Sequence, residues 1–317
     1  MNRKNIAKSQ IDEFVFLDEL QKIANKDKKW LVKKLYELES NLISTCEDVT
    51  RNCNPNNFPL YIFESLISEE ENYKKLFNEY DPKRLYKLII DFEPIRKCVG
   101  NLIGIELDDI QISYRIKEIN KKDKSGLVAS YTTEYMLKNS NNKHSKLKVL
   151  HVIIINKNAT PNPLTPIHEL VHLATKEASY KYRYGKDLKS FTLSEGIAIN
   201  ISYLCMKELR KISEKLYNFA LLSKTTEEIE KFLLYLIANG HKDILESYDN
   251  PLEDISEYII FNLTKNKEYR NSLKGFFKYI NGYAYVNYLA EKLGPKVFKD
   301  MVAGNFEKIL KNLQKNY

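Results

Sequence analysis

The spacing of apolar residues changes twice along this chain of 317 residues, and that change constrains the fold more than any other feature. From residue 11 to about residue 90, apolar residues recur at intervals of three and four, which is typical of amphipathic helices. Between residues 109 and 156 the pattern has a period of two and is rich in β-branched and aromatic residues. After residue 161 the spacing is helical again. The predicted strands are 110–116, 127–137 and 147–156.

This order of patterns predicts an α+β fold. We expect a helical N-terminal region over residues 1–105 and a second domain over residues 106–317. Within the second domain, the sheet is expected at 109–156 and the helical part at 165–317. A chain of this length can bury a sizeable core without disulfide bonds to hold it together.

The distribution of charged and apolar residues argues against nucleic-acid and membrane partners. The net charge is +8, and the whole excess of Lys and Arg lies thinly spread within residues 106–317. A nucleic-acid surface concentrates Lys and Arg on one face, so this distribution argues against a nucleic-acid partner. The longest apolar stretch, Val149–Ile155, is interrupted by His151 and is far shorter than the roughly 20 residues that span a bilayer. We therefore expect no membrane partner.

The cysteines and the first residues predict a compartment. Cys46, Cys53, Cys98 and Cys205 form no C-x-x-C pair. The first residues contain no apolar run of the kind that a signal peptide needs. We therefore expect reduced thiols and a cytoplasmic location.

A short motif follows the predicted sheet, with the sequence Thr165-Pro166-Ile167-His168-Glu169-Leu170-Val171-His172-Leu173. Thr165 is a good N-cap and Pro166 a good first helical residue, so a helix is predicted to start just before His168. His168 and His172 then lie about 40° apart on one helix face, where both rings can bind one ion. Glu169 projects beside them, within reach of a metal-bound water. The alternative is a buried helix whose histidines make only local hydrogen bonds.

A catalytic zinc site takes a third protein ligand, and the next candidate along the chain is Glu195. The segment Thr192-Leu193-Ser194-Glu195 also fits a capping box, in which the carboxylate would bond only to the N-cap amide. Gly196 favours the ligand role, because a glycine in a helix is explained if this turn approaches the first helix closely.

The two motifs together, His168-Glu169-x-x-His172 and Ser194-Glu195-Gly196-x-Ala198, resemble the gluzincin branch of zinc metallopeptidases, the superfamily that includes thermolysin and aminopeptidase N. The segment Tyr279–Leu289 is similar to the Y-x-x-G segment of aminopeptidase-N-like enzymes, whose first tyrosine steadies the oxyanion. The resemblance covers about residues 147–300. It implies a zincin-like domain with a small mixed sheet and an active-site helix, one Zn²⁺ per chain, and an oxyanion role for Tyr279. Tyr283 lies on the same predicted helix face, and only the spacing to Gly282 selects Tyr279.

The chain departs from that family at two points. The G-x-M-E-N segment with which aminopeptidases hold a free amino terminus is absent, so we expect an endopeptidase or a peptidase that is not anchored on a free N-terminus. The Asp that thermolysin-like enzymes carry four residues after the third ligand is Ile199 here, followed by Asn200. The outer partner of the metal-binding histidines is therefore not identified by the sequence.

We expect two further segments to lie close to the substrate-binding cleft of such an enzyme. The strand Leu147–Asn156 precedes the active-site helix and would form the sheet edge along which an extended substrate pairs. The segment 180–184 joins the two ligand helices and is interpreted as a solvated loop, with an anchor for acidic groups as the alternative.

The sequence thus favours a zinc-dependent peptidase, a hydrolase acting on a peptide or protein through a metal-activated water. His168, His172 and Glu195 would hold the metal, Glu169 would act as general base and Tyr279 would stabilise the oxyanion. One alternative is a zincin-fold binding or regulatory protein with little or no hydrolysis. Another is a helical nucleic-acid or protein-interaction module in which the histidine motif is accidental.

Overall fold

The computed structural model describes residues 11–50, 53, 58–118, 129–137, 147–157, 162–183, 187–246, 252–265 and 267–315. The helices before the sheet are α1 (Glu13–Lys26), α2 (Lys28–Val49), α3 (Pro59–Phe77), α4 (Pro82–Ile90) and α5 (Glu93–Ile103). The strands are β1 (Ile112–Lys117), β2 (Ala129–Leu137) and β3 (Leu147–Asn156). The helices after the sheet are α6 (Leu164–Tyr182), α7 (Phe191–Cys205), α8 (Glu214–Ala238), α9 (Lys242–Glu246), α10 (Glu253–Lys265), α11 (Lys267–Leu293), α12 (Val297–Val302) and α13 (Phe306–Lys315).

The described elements confirm an α+β fold with a small mixed sheet. The third strand has the predicted bounds, the first starts two residues later, and residues 127 and 128 of the second lie outside the described part. None of the described helices is both long enough and apolar enough to span a membrane.

The strand order differs from the prediction for β3. The sheet has the order β1-β3-β2, with β1 parallel and β2 antiparallel to β3, so β3 is the central strand and not the edge. Val152 on one face of the strand is buried, and so are Ile153 and Ile155 on the other face. A continuous apolar run is the signature of a strand that is covered on both faces, and this signal was present in the sequence. The strand edge beside α6 belongs to β2.

One hydrophobic core joins helices from both ends of the chain. α2 and α3 pack against α8, and α1 packs against α11 and α13. At the centre, the edge of the Trp30 ring faces the rings of Phe232 and Tyr288. The domain boundary near residue 105 stays a prediction.

The cysteines are paired in the structure, contrary to the predicted reduced thiols. Cys98 on α5 is bonded to Cys205 at the end of α7, and Cys46 on α2 is bonded to Cys53. The first pair is separated by 107 residues, and no local motif could reveal it. The cytoplasmic location, which depended in part on reduced thiols, stays a prediction.

Two glycines let α7 and α11 touch backbone to backbone. A Cβ atom on Gly196 would lie 2.2 Å from the carbonyl oxygen of Gly282, and one on Gly282 would lie 2.3 Å from the carbonyl oxygen of Thr192. Gly196 therefore makes a close contact with another helix, as predicted. That helix is α11 and not α6, which carries His168 and His172. This contact brings the two helices that carry Glu195 and Tyr279 together.

We expect Gly196→Ala to lower the free energy of unfolding by about 1–3 kcal/mol, because the new methyl group forces two backbones apart. Helix propensity alone would act in the opposite direction and stabilise the protein by about 1 kcal/mol. Chemical denaturation of the wild type and the variant measures the sign. An increase in stability would contradict the close packing of α7 on α11.

Candidate metal centre

The first ligand helix, α6, starts slightly earlier than its sequence motif predicts. It begins at Leu164 after the N-cap position Pro163, so Thr165 is inside the helix and is not the cap. The side chain of Asn162 accepts a hydrogen bond from the Leu164 N–H at 2.9 Å. Buried apolar residues on the neighbouring faces of the helix, among them Ile167 and Val171, fix it against the core.

His168 and His172, one turn apart on α6, meet Glu195 from the first turns of α7. The Nε2 atoms of the two histidines are 3.0 Å apart. The carboxylate of Glu195 lies 3.1 Å from Nε2 of His168 and 3.4 Å from Nε2 of His172. In the described part of the chain, these three side chains form the one group of His, Cys, Asp or Glu residues with the donor spacing of a metal site.

The donor set fits a zinc ion. Two nitrogens and one oxygen face a common point, with separations of 3.0–3.4 Å. Two ligands of a tetrahedral zinc ion, each about 2.05 Å from the metal, are roughly 3.3 Å apart. Three protein ligands also leave one coordination position open, as in catalytic zinc sites.

The two histidines favour the ionised form of the Glu195 carboxylate. Burial alone would raise the pKa of Glu195, but hydrogen bonds from His168 and His172 and the charges of both rings lower it to about 2. Burial alone would lower the pKa of His172, yet its hydrogen bond to Glu195 and the charges of Glu195 and Glu169 raise it. Glu195 is therefore ionised at neutral pH and offers a negatively charged donor oxygen, while protons compete with a cation for His172.

The alternative role of Glu195 in a capping box does not fit the geometry. The N-cap of α7 is Ser190, whose hydroxyl accepts a hydrogen bond from the Leu193 N–H at 3.3 Å. Thr192 lies inside the first turn and is not an N-cap. The carboxylate of Glu195 is engaged by the two histidines instead.

Glu169 lies beside the three donors and is not one of them. Its side chain is buried, and burial raises its pKa, an effect that the charges of His172 and His168 partly oppose. The backbone N–H of Tyr131 on β2 donates a hydrogen bond to it. A carboxylate with a raised pKa, close to a metal site, suits the role of a general base near neutral pH.

The structure supplies the outer partner of one histidine that the sequence did not identify. The hydroxyl of Ser194 lies 3.2 Å from Nδ1 of His172. Asn200, at the position after the missing Asp, bridges α7 and α11 by donating to the carbonyl oxygens of Gly196 and Tyr283 at 2.8 and 3.2 Å. Ser194 directly precedes Glu195, and this position next to a predicted ligand was the sequence signal that could have identified it as the outer partner.

A second polar cluster holds β2 against α6. The Tyr131 hydroxyl is 2.9 Å from Nδ1 of His151 on β3, and Nε2 of His151 is 3.2 Å from the Glu177 carboxylate on α6. His151 is buried and is not among the three converging donors, so its contacts within the described residues are those of a structural residue of the strand. Tyr131 is thus held through its side chain while its backbone N–H contacts Glu169.

The metal centre opens into a cleft of about 430 Å³. One wall is formed by α6 and a second by residues 129–131 of β2, and Leu188, Phe191 and Tyr279 add apolar and aromatic surface. The rings of Phe191 and Tyr279 are 5.2 Å apart, edge to face. Burial, followed by the negative charges of Glu195 and Glu169, raises the pKa of Tyr279, so its hydroxyl stays protonated as a donor.

Tyr283 does not line this cleft. Its side chain is fully buried, and its hydroxyl donates to Glu228 at 3.1 Å. Tyr279 is therefore the tyrosine of this pair that faces the metal centre.

If Tyr279 has the oxyanion role predicted from the sequence, Tyr279→Phe should lower turnover about 10- to 1,000-fold, because it removes that donor. Zinc content and melting temperature should change little, since the ring and its packing on Phe191 remain. Tyr283→Phe is the matched control, with an effect on stability and little effect on turnover. Steady-state kinetics and zinc analysis of both variants test this, and a crippling effect of Tyr283→Phe alone would move the oxyanion role to Tyr283.

Residues 180–182, which the sequence placed in a solvated loop, belong to the last turn of α6, so the connection to α7 begins only at Arg183. The guanidinium of Arg183 pairs with Glu13 at 2.6 Å, and the ammonium of Lys181 lies over the Tyr182 ring. Tyr184 falls outside the described residues. None of residues 180–183 lines the cleft.

Comparison with known proteins finds no matching family model, no matching curated protein and no matching solved structure. The functional assignment therefore depends on the residues and their geometry.

Proposed function

We propose that this protein is a zinc-dependent peptidase with a zincin-like fold of the gluzincin type. The observation that carries the proposal is the convergence of His168, His172 and Glu195 to within 3.0–3.4 Å, with Glu169 buried beside them. A site that only stored a metal would not need a second acidic side chain that is excluded from the donor set.

His168, His172 and Glu195 would hold the ion. When bound there, zinc supplies Lewis-acid chemistry and lowers the pKa of water towards 7. Glu169 would accept the proton of the attacking water and then deliver it to the leaving amine. Tyr279 would donate a hydrogen bond to the carbonyl oxygen as its negative charge develops.

The substrate proposed is an extended peptide or protein segment. β2 forms the wall of the cleft next to Glu169 and is the edge strand of the sheet on that side. Extended peptides bind such edges by adding a strand, through main-chain hydrogen bonds. We therefore propose β2 as the pairing edge, instead of β3 as the sequence predicted.

Metal analysis and a peptide library test the proposal. Protein purified without added zinc should contain close to one zinc per chain, and removal of the metal by a chelator should abolish cleavage that added zinc restores. No bound metal, or one zinc per chain without cleavage of any peptide, would contradict a zinc peptidase.

We also predict that an N-acetylated peptide and its free counterpart are cleaved at similar rates, because the chain lacks the segment that binds a free amino terminus. A pair of peptides that differ only in the acetyl group, compared by kcat/KM, measures this. If acetylation abolishes cleavage, another acidic group of the cleft holds the amino terminus, and the proposal of an unanchored peptidase is wrong.

A further inference from the structure

Glu13, the first residue of α1, is a buried carboxylate far from the metal site in sequence but close to its supporting backbone. Its side chain is 3% exposed. One oxygen pairs with the Arg183 guanidinium at 2.6 Å. The other accepts hydrogen bonds from the backbone N–H groups of Lys189 and Ser190, both at 2.9 Å.

These three partners lie at the two ends of the segment that joins the ligand helices. Arg183 directly follows the last residue of α6, the helix that carries both histidines. Ser190 is the N-cap of α7, the helix that carries Glu195. A single carboxylate from the N-terminal region therefore connects the end of one ligand helix to the start of the other.

The same backbone forms part of the cleft wall. Leu188 and Phe191, which flank the two N–H donors, both line the cleft. Asp187, one residue further back, pairs with Lys176 on α6 across the cleft. A shift of residues 187–191 would change the cleft and the start of α7 together.

The contacts of Glu13 are strong enough to determine this geometry. Hydrogen bonds to an ionised carboxylate are shorter and about twice as strong as neutral ones, and these are shielded from water. Loss of the carboxylate would leave the Arg183 charge and two N–H groups without this partner. Metal sites depend on donor placement within about 0.5 Å, so a small displacement of α7 is sufficient to weaken them.

We propose that Glu13 is a positioning residue of the metal site, which sets the place of Glu195 relative to the two histidines by fixing Arg183 and the backbone of residues 189–190. The N-terminal helix α1 is then a required part of the site and not a separate attachment. This inference rests on the proposed function, because it assumes that the three donors hold a metal.

The test compares Glu13→Gln with Glu70→Gln in the full-length protein. Glu70 is also a buried carboxylate, which accepts hydrogen bonds from Ser223 at 3.1 Å and Thr226 at 2.9 Å, but it does not line the cleft. Both variants lose a buried charge, and Glu13→Gln alone disturbs the link between the ligand helices. If Glu13→Gln does not fold, Glu13→Asp and Glu70→Asp form the equivalent pair, since aspartate keeps the charge and withdraws the carboxylate by one methylene.

Two measurements decide the outcome. Zinc affinity, measured by competition with a chromophoric chelator, should fall about 10- to 100-fold in Glu13→Gln, as is typical for the loss of an outer partner, and stay unchanged in Glu70→Gln. Hydrogen exchange of the metal-free protein should be faster over residues 187–195 in Glu13→Gln alone. Wild-type affinity and wild-type exchange in Glu13→Gln, or equal losses in both variants, would overturn the positioning role.

Hydrogen exchange also separates this inference from the proposed function. A wild-type protein that binds no zinc would overturn the proposed function together with the metal part of the inference. The exchange comparison would still show whether Glu13 fixes the start of α7, because it is made without metal.

Discussion

Replacement of Glu169 by Gln is expected to lower turnover by about 10²- to 10⁴-fold and to leave the zinc content unchanged. The amide keeps the size and the burial of the side chain but cannot accept the proton of the attacking water. The group that could hold a metal consists of His168, His172 and Glu195, so Glu169 is not expected to contribute a ligand atom.

Turnover and zinc content of Glu169→Gln, measured on the same preparation, check this expectation. Glu177→Gln is the control, because Glu177 is the other acidic residue of α6 and pairs with His151 rather than facing the metal donors. Its effect should be far smaller. Wild-type turnover in Glu169→Gln would mean that another group accepts the proton, and loss of zinc would mean that Glu169 is a ligand.

Glu195→Ala is expected to lose most of its bound zinc. The substitution removes one of three donors and the negative charge that offsets the cation, so the loss of affinity should exceed the 10- to 100-fold typical of an outer partner. Ser194→Ala provides a graded control, because it removes only the hydroxyl next to Nδ1 of His172. We expect it to weaken zinc binding within that 10- to 100-fold range.

Zinc content by elemental analysis and affinity by chelator competition distinguish the two roles of Glu195. Full zinc retention in Glu195→Ala, together with a loss of only about 1 kcal/mol of stability, would instead be the result expected for a capping residue. We do not expect that result, because the N-cap of α7 is Ser190.

Contacts within one helix could be predicted from the sequence. His168 and His172 share a face because they are four residues apart, and no tertiary contact is needed to bring their rings together. The run of β-branched and apolar residues over 147–156 likewise predicted a strand with the bounds of β3. These predictions succeeded because helix and strand periodicity act over a few residues.

Contacts between elements could not be predicted in the same way. The sequence placed β3 at the edge, although β1 and β2 enclose it. It assigned the close approach of Gly196 to the wrong helix, and it left Tyr279 and Tyr283 on one face. The packing of α11 decided between the two tyrosines, since only one of them reaches the cleft.

The sequence by itself determined the donor types, the helix that presents both histidines and the α+β class of the fold. Only the tertiary structure decided that Glu195 reaches those histidines, that β2 forms the cleft wall, and that Glu13 joins the two ligand helices. The reason is the distance along the chain. Glu13 and Ser190 are 177 residues apart, and no periodic pattern extends over such a separation, so their contact depends on how all the intervening elements pack.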